Sequence, residues 1–270
     1  MAKAARSNPE GDAMRAFEGK VALVTGASSG LGTAAALQFA RLGAKVAIAA
    51  RRSDRSEAVL RQIEALGGEG LFVRTDVARA ADVRAMVQAT LDRFGRLDCA
   101  VNNAGVTGPV RTPVADVDEA QWDAVMDVNL KGVWLCMKHE IPAMLAQGAG
   151  AIVNISSIYG YKPSEVGHAP YCVSKFGVIG LTKSAAIDYG QAGLRINAVA
   201  PGFTRSEMVD PDAPERADLL KALATRHSAM NRLGQAEETA EAITWLCSDA
   251  ARFVNGAVLA VDGGDTTRLY

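Results

Sequence analysis

A chain of 270 residues, 49% of them hydrophobic, can enclose one large core, and a single α/β domain of this length is ordinary. A net charge of −1, from 29 basic and 30 acidic residues, gives no field that would recruit nucleic acid or an anionic membrane, so neither is expected as a partner. Four cysteines (99, 136, 172 and 247) and three histidines (139, 168 and 227) make no CxxC or zinc spacing; reduced thiols, no metal and a cytoplasmic location are expected.

In chain order, residues 1–16 are polar and lack the apolar stretch of a signal peptide. They read as a disordered leader to one domain over 17–270. No apolar run reaches membrane-spanning length. From there short apolar runs alternate with amphipathic ones. Strands are predicted over 20–25, 45–50, 70–74, 98–101, 151–155, 194–199 and 257–261. Helices are predicted over 31–42, 54–66, 80–94, 119–146, 170–190 and 237–248. Apolar strands separated by helices imply a parallel sheet covered on both faces. Gly43 and Gly67 suit helix C-terminal caps, and Asp54 and Ser56 suit a helix start. Pro142 is expected to kink or end the fourth helix. The polar, aperiodic stretch 203–233, with Pro211 and Pro214, is expected to be a substrate lid.

Two motifs carry chemistry. Thr25-Gly26-Ala27-Ser28-Ser29-Gly30-Leu31-Gly32 follows the first strand and opens an Ala-rich helix. Glycines there permit a tight turn and bring the backbone close to a pyrophosphate, which the helix N-terminus then faces. The second motif is Tyr171-x-x-x-Lys175, a phenol and an amine one helical turn apart. Gly26-Ala27-Ser28-Ser29-Gly30 also fits GxSxG, the nucleophile elbow of serine hydrolases, with His168 or His227 as base. That reading leaves Tyr171 and Lys175 without a role, and a hydrolase elbow normally follows several strands.

Together the motifs make the chain resemble the classical short-chain dehydrogenase/reductase family over roughly residues 19–264. Asp76-Val77, Asn102-Asn103-Ala104-Gly105, Asn129, Ser156-Ser157, Pro201-Gly202 and Asp262-Gly263-Gly264 complete the pattern in order. The resemblance implies a doubly wound Rossmann fold with a seven-stranded parallel sheet and NAD(P)(H) as cofactor. It implies that Asp76 and Val77 sit near the adenine and that Asn103, Ala104 and Gly105 line the cofactor. It implies a catalytic set of Asn129, Ser157, Tyr171 and Lys175, with Asn129 supporting a water relay to the lysine. It implies a homotetramer, with the tail 265–270 able to reach a neighbour. Ser157 and Tyr171 are 14 positions apart, one more than is commonest in the family. Where the family usually has a threonine after Pro201-Gly202 this chain has Ser206, with Thr204 as an alternative donor.

The chemistry these residue types permit is reduction of a ketone or oxidation of a secondary alcohol. Tyr171 is the expected general acid/base. Bringing a phenol from a pKa of about 10 to neutrality takes roughly 4 kcal/mol, which a cation about 4 Å away can supply at an effective dielectric near 20. Lys175 is the expected cation, and Ser157 is suited to polarising the substrate oxygen. Val106, Ile158, Tyr159, Tyr161, His168, Phe203 and Met208 are candidate pocket-wall residues.

The second strand ends in Ala50, where NAD-preferring sites commonly carry an acid that takes the ribose hydroxyls. Arg51 and Arg52 follow, and an arginine can hold a 2′-phosphate. NADP(H) is therefore the expected preference, with Ser28 and Ser29 nearby and NAD(H) still possible; the family resemblance implies Arg51 rather than Arg52 as the phosphate's partner. The alternatives are an NAD-dependent alcohol or cis-diol dehydrogenase and, more remotely, the serine hydrolase or a non-catalytic NADP-binding regulator.

Overall fold

The computed structural model describes residues 16–205, 222 and 224–267. Seven strands form one parallel sheet in the order β3-β2-β1-β4-β5-β6-β7. They are β1 (Val21–Thr25), β2 (Lys45–Ala50), β3 (Gly70–Arg74), β4 (Cys99–Asn102), β5 (Gly150–Ile155), β6 (Leu194–Pro201) and β7 (Val258–Val261). The order reverses between β1 and β4, and such a switch point opens a ligand crevice beyond the strands' carboxyl ends.

The helices are α1 (Gly30–Arg41), α2 (Ser53–Ala65), α3 (Ala80–Phe94), α4 (Glu119–Met126), α5 (Gly132–Gln147), α6 (Ala169–Tyr189) and α7 (Ala236–Cys247). One core packs α1, α2 and α7 on one face of the sheet, with Ala35, Phe39, Ile63 and Ile243 fully buried. The other packs α3, α5 and α6 on the opposite face around Met86, Met137, Met144 and Ile152. The central strands are mostly apolar because both of their faces are covered. Phe39 meets Phe17 edge-on at 5.1 Å, and burying such a ring contributes about 2–3 kcal/mol.

Pro142 neither ends nor divides α5, which runs on to Gln147. Buried Leu135, Met137, Ile141 and Met144 hold the helix to the sheet on both sides of it. The irregularity lies earlier, where Asp127–Lys131 form a wide π turn between α4 and α5. The tail likewise starts within its own chain: Asp265 is fully buried and bonds Lys162 at 2.7 Å. Residues 268–270, most of the expected leader, and residues 206–221 and 223 of the expected lid lie outside the described residues.

A buried polar tie runs beneath the sheet's carboxyl edge. Asn102 on β4 donates to Glu140 on α5 and to Asn154 on β5, each at 3.0 Å. Asn154 in turn donates to Thr182 on α6 at 3.0 Å. Glu140 Oε1 and Asn102 Oδ1 are both buried with no hydrogen-bond partner among the described residues. The tie ends one residue short of Asn103, just past β4, and of Ile155 at the end of β5, whose carbonyl accepts from Lys175.

Candidate active site

Beyond β1 the chain turns through Gly26–Ser29 into α1. Gly26 and Gly30 have φ of +65° and +54°, a region open mainly to glycine. A Cβ on Gly32 would stand 2.4 Å from the Gly26 carbonyl oxygen, so helix and strand meet there without a side chain between them. Thr25 Oγ1 accepts the N–H groups of Asn103 and Ala104 at 3.0 and 3.2 Å. The Asn103 amide donates to the carbonyls of Thr25 and Gly26 at 3.0 and 3.3 Å. Asn103 thus braces the turn's backbone. No side chain caps α1, and its first turn contains no acid. Its first N–H groups are left for an anion, and Leu31 and Gly32 lie in that same turn.

At the end of β2, Arg52 donates to Ser28 Oγ from Nη2 at 3.0 Å and from Nε at 3.2 Å, and to Ser29 Oγ at 2.7 Å. Arg51 is exposed. The guanidinium that bonds the serines of the glycine turn is that of Arg52. Arg52 has an extended backbone at the start of α2, and successive extended residues point to opposite sides. With alanine at position 50, β2 itself ends without a carboxylate. Ser28 is bonded to arginine, while His168 bonds Thr107 and His227 pairs with Asp265. No histidine serves Ser28, which removes the basis of the hydrolase reading.

The remaining edge residues stand beyond the carboxyl ends of the strands. Asp76 accepts from Ala78 N at 3.1 Å, and Val77 is buried against Gly132. Gly105 is exposed, and a Cβ there would lie 3.4 Å from Asn129 Oδ1 and 3.7 Å from Lys175 Nζ. Pro201 ends β6, Gly202 donates to Val261 O at 3.0 Å, and Thr204 Oγ1 donates to Gly202 O at 3.2 Å. Ser206 and Met208 lie outside the described residues. The glycine turn, the uncapped helix and the Arg52–Ser28–Ser29 group fit a dinucleotide bearing phosphates.

Three of the four candidate catalytic residues converge at the end of β5. Ser157 acts on the Tyr171 phenol, favouring its ionised form against burial, and accepts the Tyr159 N–H at 3.2 Å. Lys175, one turn along α6 from Tyr171, is buried; its Nζ donates to Ile155 O at 2.8 Å and stands 5.5 Å from the Tyr171 ring centre. Ser156 Oγ donates to Lys175 O at 2.9 Å and so seats α6 on β5. Asn129, fully buried in the π turn, accepts from Val106 N at 2.8 Å and donates to Val106 O at 2.9 Å and Ser174 Oγ at 3.2 Å. It fastens the segment after β4 to α6.

Burial pushes Tyr171 up to about 12, opposed by the Ser157 bond, and brings Lys175 down to about 8. The sequence expectation was a lowered phenol. The protein fabric does the reverse, because desolvation disfavours both charged forms and the lysine ammonium is directed at a carbonyl.

Of the candidate wall residues, Tyr159 meets Tyr171 edge-on at 6.4 Å and Phe203 at 6.2 Å, and His168 lies by the same rings. Ile158 is buried, and Tyr161 turns to β7, donating to Val258 O at 2.6 Å. Sequence reading passed over Ser174, Glu140 and Thr182. Ser174 lies inside the Tyr171–Lys175 spacing and could have been asked for a role. Glu140, an acid amid apolar residues of α5, was the other available signal.

Known proteins resemble this chain over nearly its whole length. A family model described as enoyl-(acyl carrier protein) reductase matches residues 26–266. The chain is 46% identical over 254 residues to an A-factor type gamma-butyrolactone 1′-reductase (1S-forming) of Streptomyces virginiae, covering 92% of this chain and 95% of that protein. It is 44% identical over 251 residues to the cis-4-hydroxycyclohexanecarboxylate dehydrogenase of Sinomonas cyclohexanicum, covering 93% and 98%. The crystal structure of levodione reductase superposes with a TM-score of 0.88 at 36% identity, covering 94% of this chain and all of that one. Fold, site and relatives define an oxidoreductase acting on CH–OH groups with NAD(P). The chain belongs to the classical short-chain dehydrogenase/reductase family.

Among the described residues no three His, Cys, Asp or Glu side chains group to hold a metal ion. No helix there is long and apolar enough to cross a membrane. The cysteines at 99, 136, 172 and 247 are free and buried.

Proposed function

We propose that this protein interconverts a ketone and a secondary alcohol with NADP(H) in preference to NAD(H), using Tyr171 as general acid/base. The observation that carries the reading is the convergence of Ser157, Tyr171 and Lys175 at the end of β5, beside the crevice rimmed by Arg52. A bound nicotinamide supplies or accepts the hydride at the substrate carbon. Ser157 donates to the substrate oxygen, and Tyr171 delivers the proton to it during reduction. A phenol held near 12 stays loaded with that proton across neutral pH. Oxidation runs the same path backwards and needs the phenolate, so its rate rises with pH while reduction stays flat near neutrality. Lys175 supplies positive charge beside the ring and can hold ribose hydroxyls. Asn129 keeps the wall after β4 in register with α6.

Two relatives are named for substrates that carry a small ring, a butyrolactone and a cyclohexane. With the aromatic wall of Tyr159, His168 and Phe203, they support a medium-sized, partly apolar substrate. Exposed Trp134, Leu145, Val173 and Phe176 on α5 and α6 support self-association as a homotetramer.

The reading is tested by the ratio of kcat/KM for NADPH over NADH across a panel of cyclic and acyclic ketones. It requires a ratio well above one. Arg52→Ala lowers that ratio about tenfold, the scale of one charge-assisted phosphate bond pair, and Arg51→Ala changes it much less. Ala50→Asp/Arg52→Ala inverts it. A wild-type preference for NADH would favour the NAD-dependent alternative.

A further inference from the structure

The residue three before Tyr171 is a histidine whose side chain is almost wholly buried. Its Nε2 lies 2.7 Å from Thr107 O. A carbonyl only accepts, so Nε2 carries the proton and the ring's tautomer is fixed by that bond. The imidazole lies 4.6 Å from the Tyr171 ring at an interplanar angle of 6°. Tyr159 closes against both rings edge-on, at 6.1 Å to His168 and 6.4 Å to Tyr171. The backbone joins in: Thr112 pairs with His168, and Arg111 and Thr112 donate to Val166 O and Gly167 O at 2.7 and 3.1 Å. His168 therefore ties the segment after β4 to the entry of α6, with one ring face against the phenol.

We propose that His168 is a positioning residue for Tyr171: its tethered imidazole, stacked on the phenol, holds that ring in line with Ser157 and keeps water from it. The proposal rests on Tyr171 being the acid/base. Burial keeps His168 itself below the usual histidine range, so the stacked partner is neutral at pH 7. The groups facing the phenol are Ser157 and Tyr159 from the β5 edge, His168 before α6, and Cys172 and Lys175 on α6. Desolvation is the main cause of the phenol's high pKa, and the imidazole covers one of its faces. Removing that ring admits water and lowers the pH at which the phenol ionises.

The test compares His168→Ala, His168→Gln and His168→Phe with wild type and Tyr171→Phe. Folding is followed by thermal melting and NADPH binding by fluorescence. His168→Ala is expected to lose about 10- to 100-fold in kcat for reduction, the cost of a small misplacement of a reacting group. Its alkaline limb for alcohol oxidation moves to lower pH. His168→Phe restores a stacked ring and returns that limb to the wild-type position, while His168→Gln keeps a donor for Thr107 but not the stack and stays shifted. Should His168→Ala fail to fold, the Phe and Gln pair decides the matter. A slower His168→Ala with an unmoved limb, or unchanged kinetics, overturns the proposal. Turnover that survives Tyr171→Phe instead overturns the assignment of Tyr171 itself.

Discussion

The two ends of the crevice are built on opposite terms. At the end of β2 the group proposed to meet a phosphate is an exposed arginine lying on two serine hydroxyls, with an alanine nearby in the chain. At the end of β5 the groups proposed to react are crowded by protein, and burial moves Tyr171 up and Lys175 down. A charge in water is easy to add or remove without disturbing the fold, and it is screened by salt. A desolvated group is sensitive to every neighbour and resists change. The difference teaches that cofactor choice can drift in such a fold by surface substitutions, while the acid/base centre is bound up with the core.

The sharpest way to break the comparison is Tyr171→Phe. It removes one hydroxyl, keeps the ring packing, and should lower turnover by about 100-fold or more with melting temperature and cofactor binding near wild type. Steady-state kinetics and thermal melts check it; near-normal turnover would leave the buried end without its role. Smaller is the cofactor switch at the exposed end, about tenfold in the specificity ratio for Arg52→Ala. Smaller again is the response to salt. Going from about 0.05 M to about 0.5 M ionic strength should raise KM for NADPH several-fold while leaving NADH nearly unmoved, because Arg52 is exposed to screening. An equal response of both cofactors would mean that the arginine does not meet the extra phosphate.

Much of this was legible in the chain because the signals are local. Apolar runs bounded by glycine placed the strands within a residue or two, and the family motifs fell at strand ends, where the doubly wound sheet gathers them. What was not legible depends on neighbours distant in sequence. Arg51 and Arg52 are equivalent by type, and only the strand's final direction says which one crosses to Ser28. Pro142 reads as a helix breaker, yet buried Ile141 and Met144 hold α5 through it. The direction of the Tyr171 shift was missed because spacing shows a nearby cation but not the loss of water around both groups. Asn129 was flagged by its poor helix propensity; the turn that accommodates it, and its bonds to Val106, were not foreseeable from that.

The acid–amide pair between α5 and β4 makes a proton part of the architecture. Glu140 accepts from Asn102 through one oxygen, and its second oxygen and that of Asn102 lack partners. A proton on Glu140 removes the charge that burial penalises and gives the carboxyl a hydrogen to donate, and burial pushes this carboxyl up to about 7 from 4.5. The folded chain then holds a hydrogen ion that the unfolded chain releases between those values. Stability from this pair is greatest below about 4.5 and falls as pH climbs toward about 7. Glu140→Gln, whose amide donates at any pH, should flatten that decline, and melting temperatures at about pH 5 and pH 8 will show whether it does. The folding equilibrium of this enzyme thereby acts as a weak hydrogen-ion sensor, located not in the crevice but under the floor on which Asn103 and Ile155 stand.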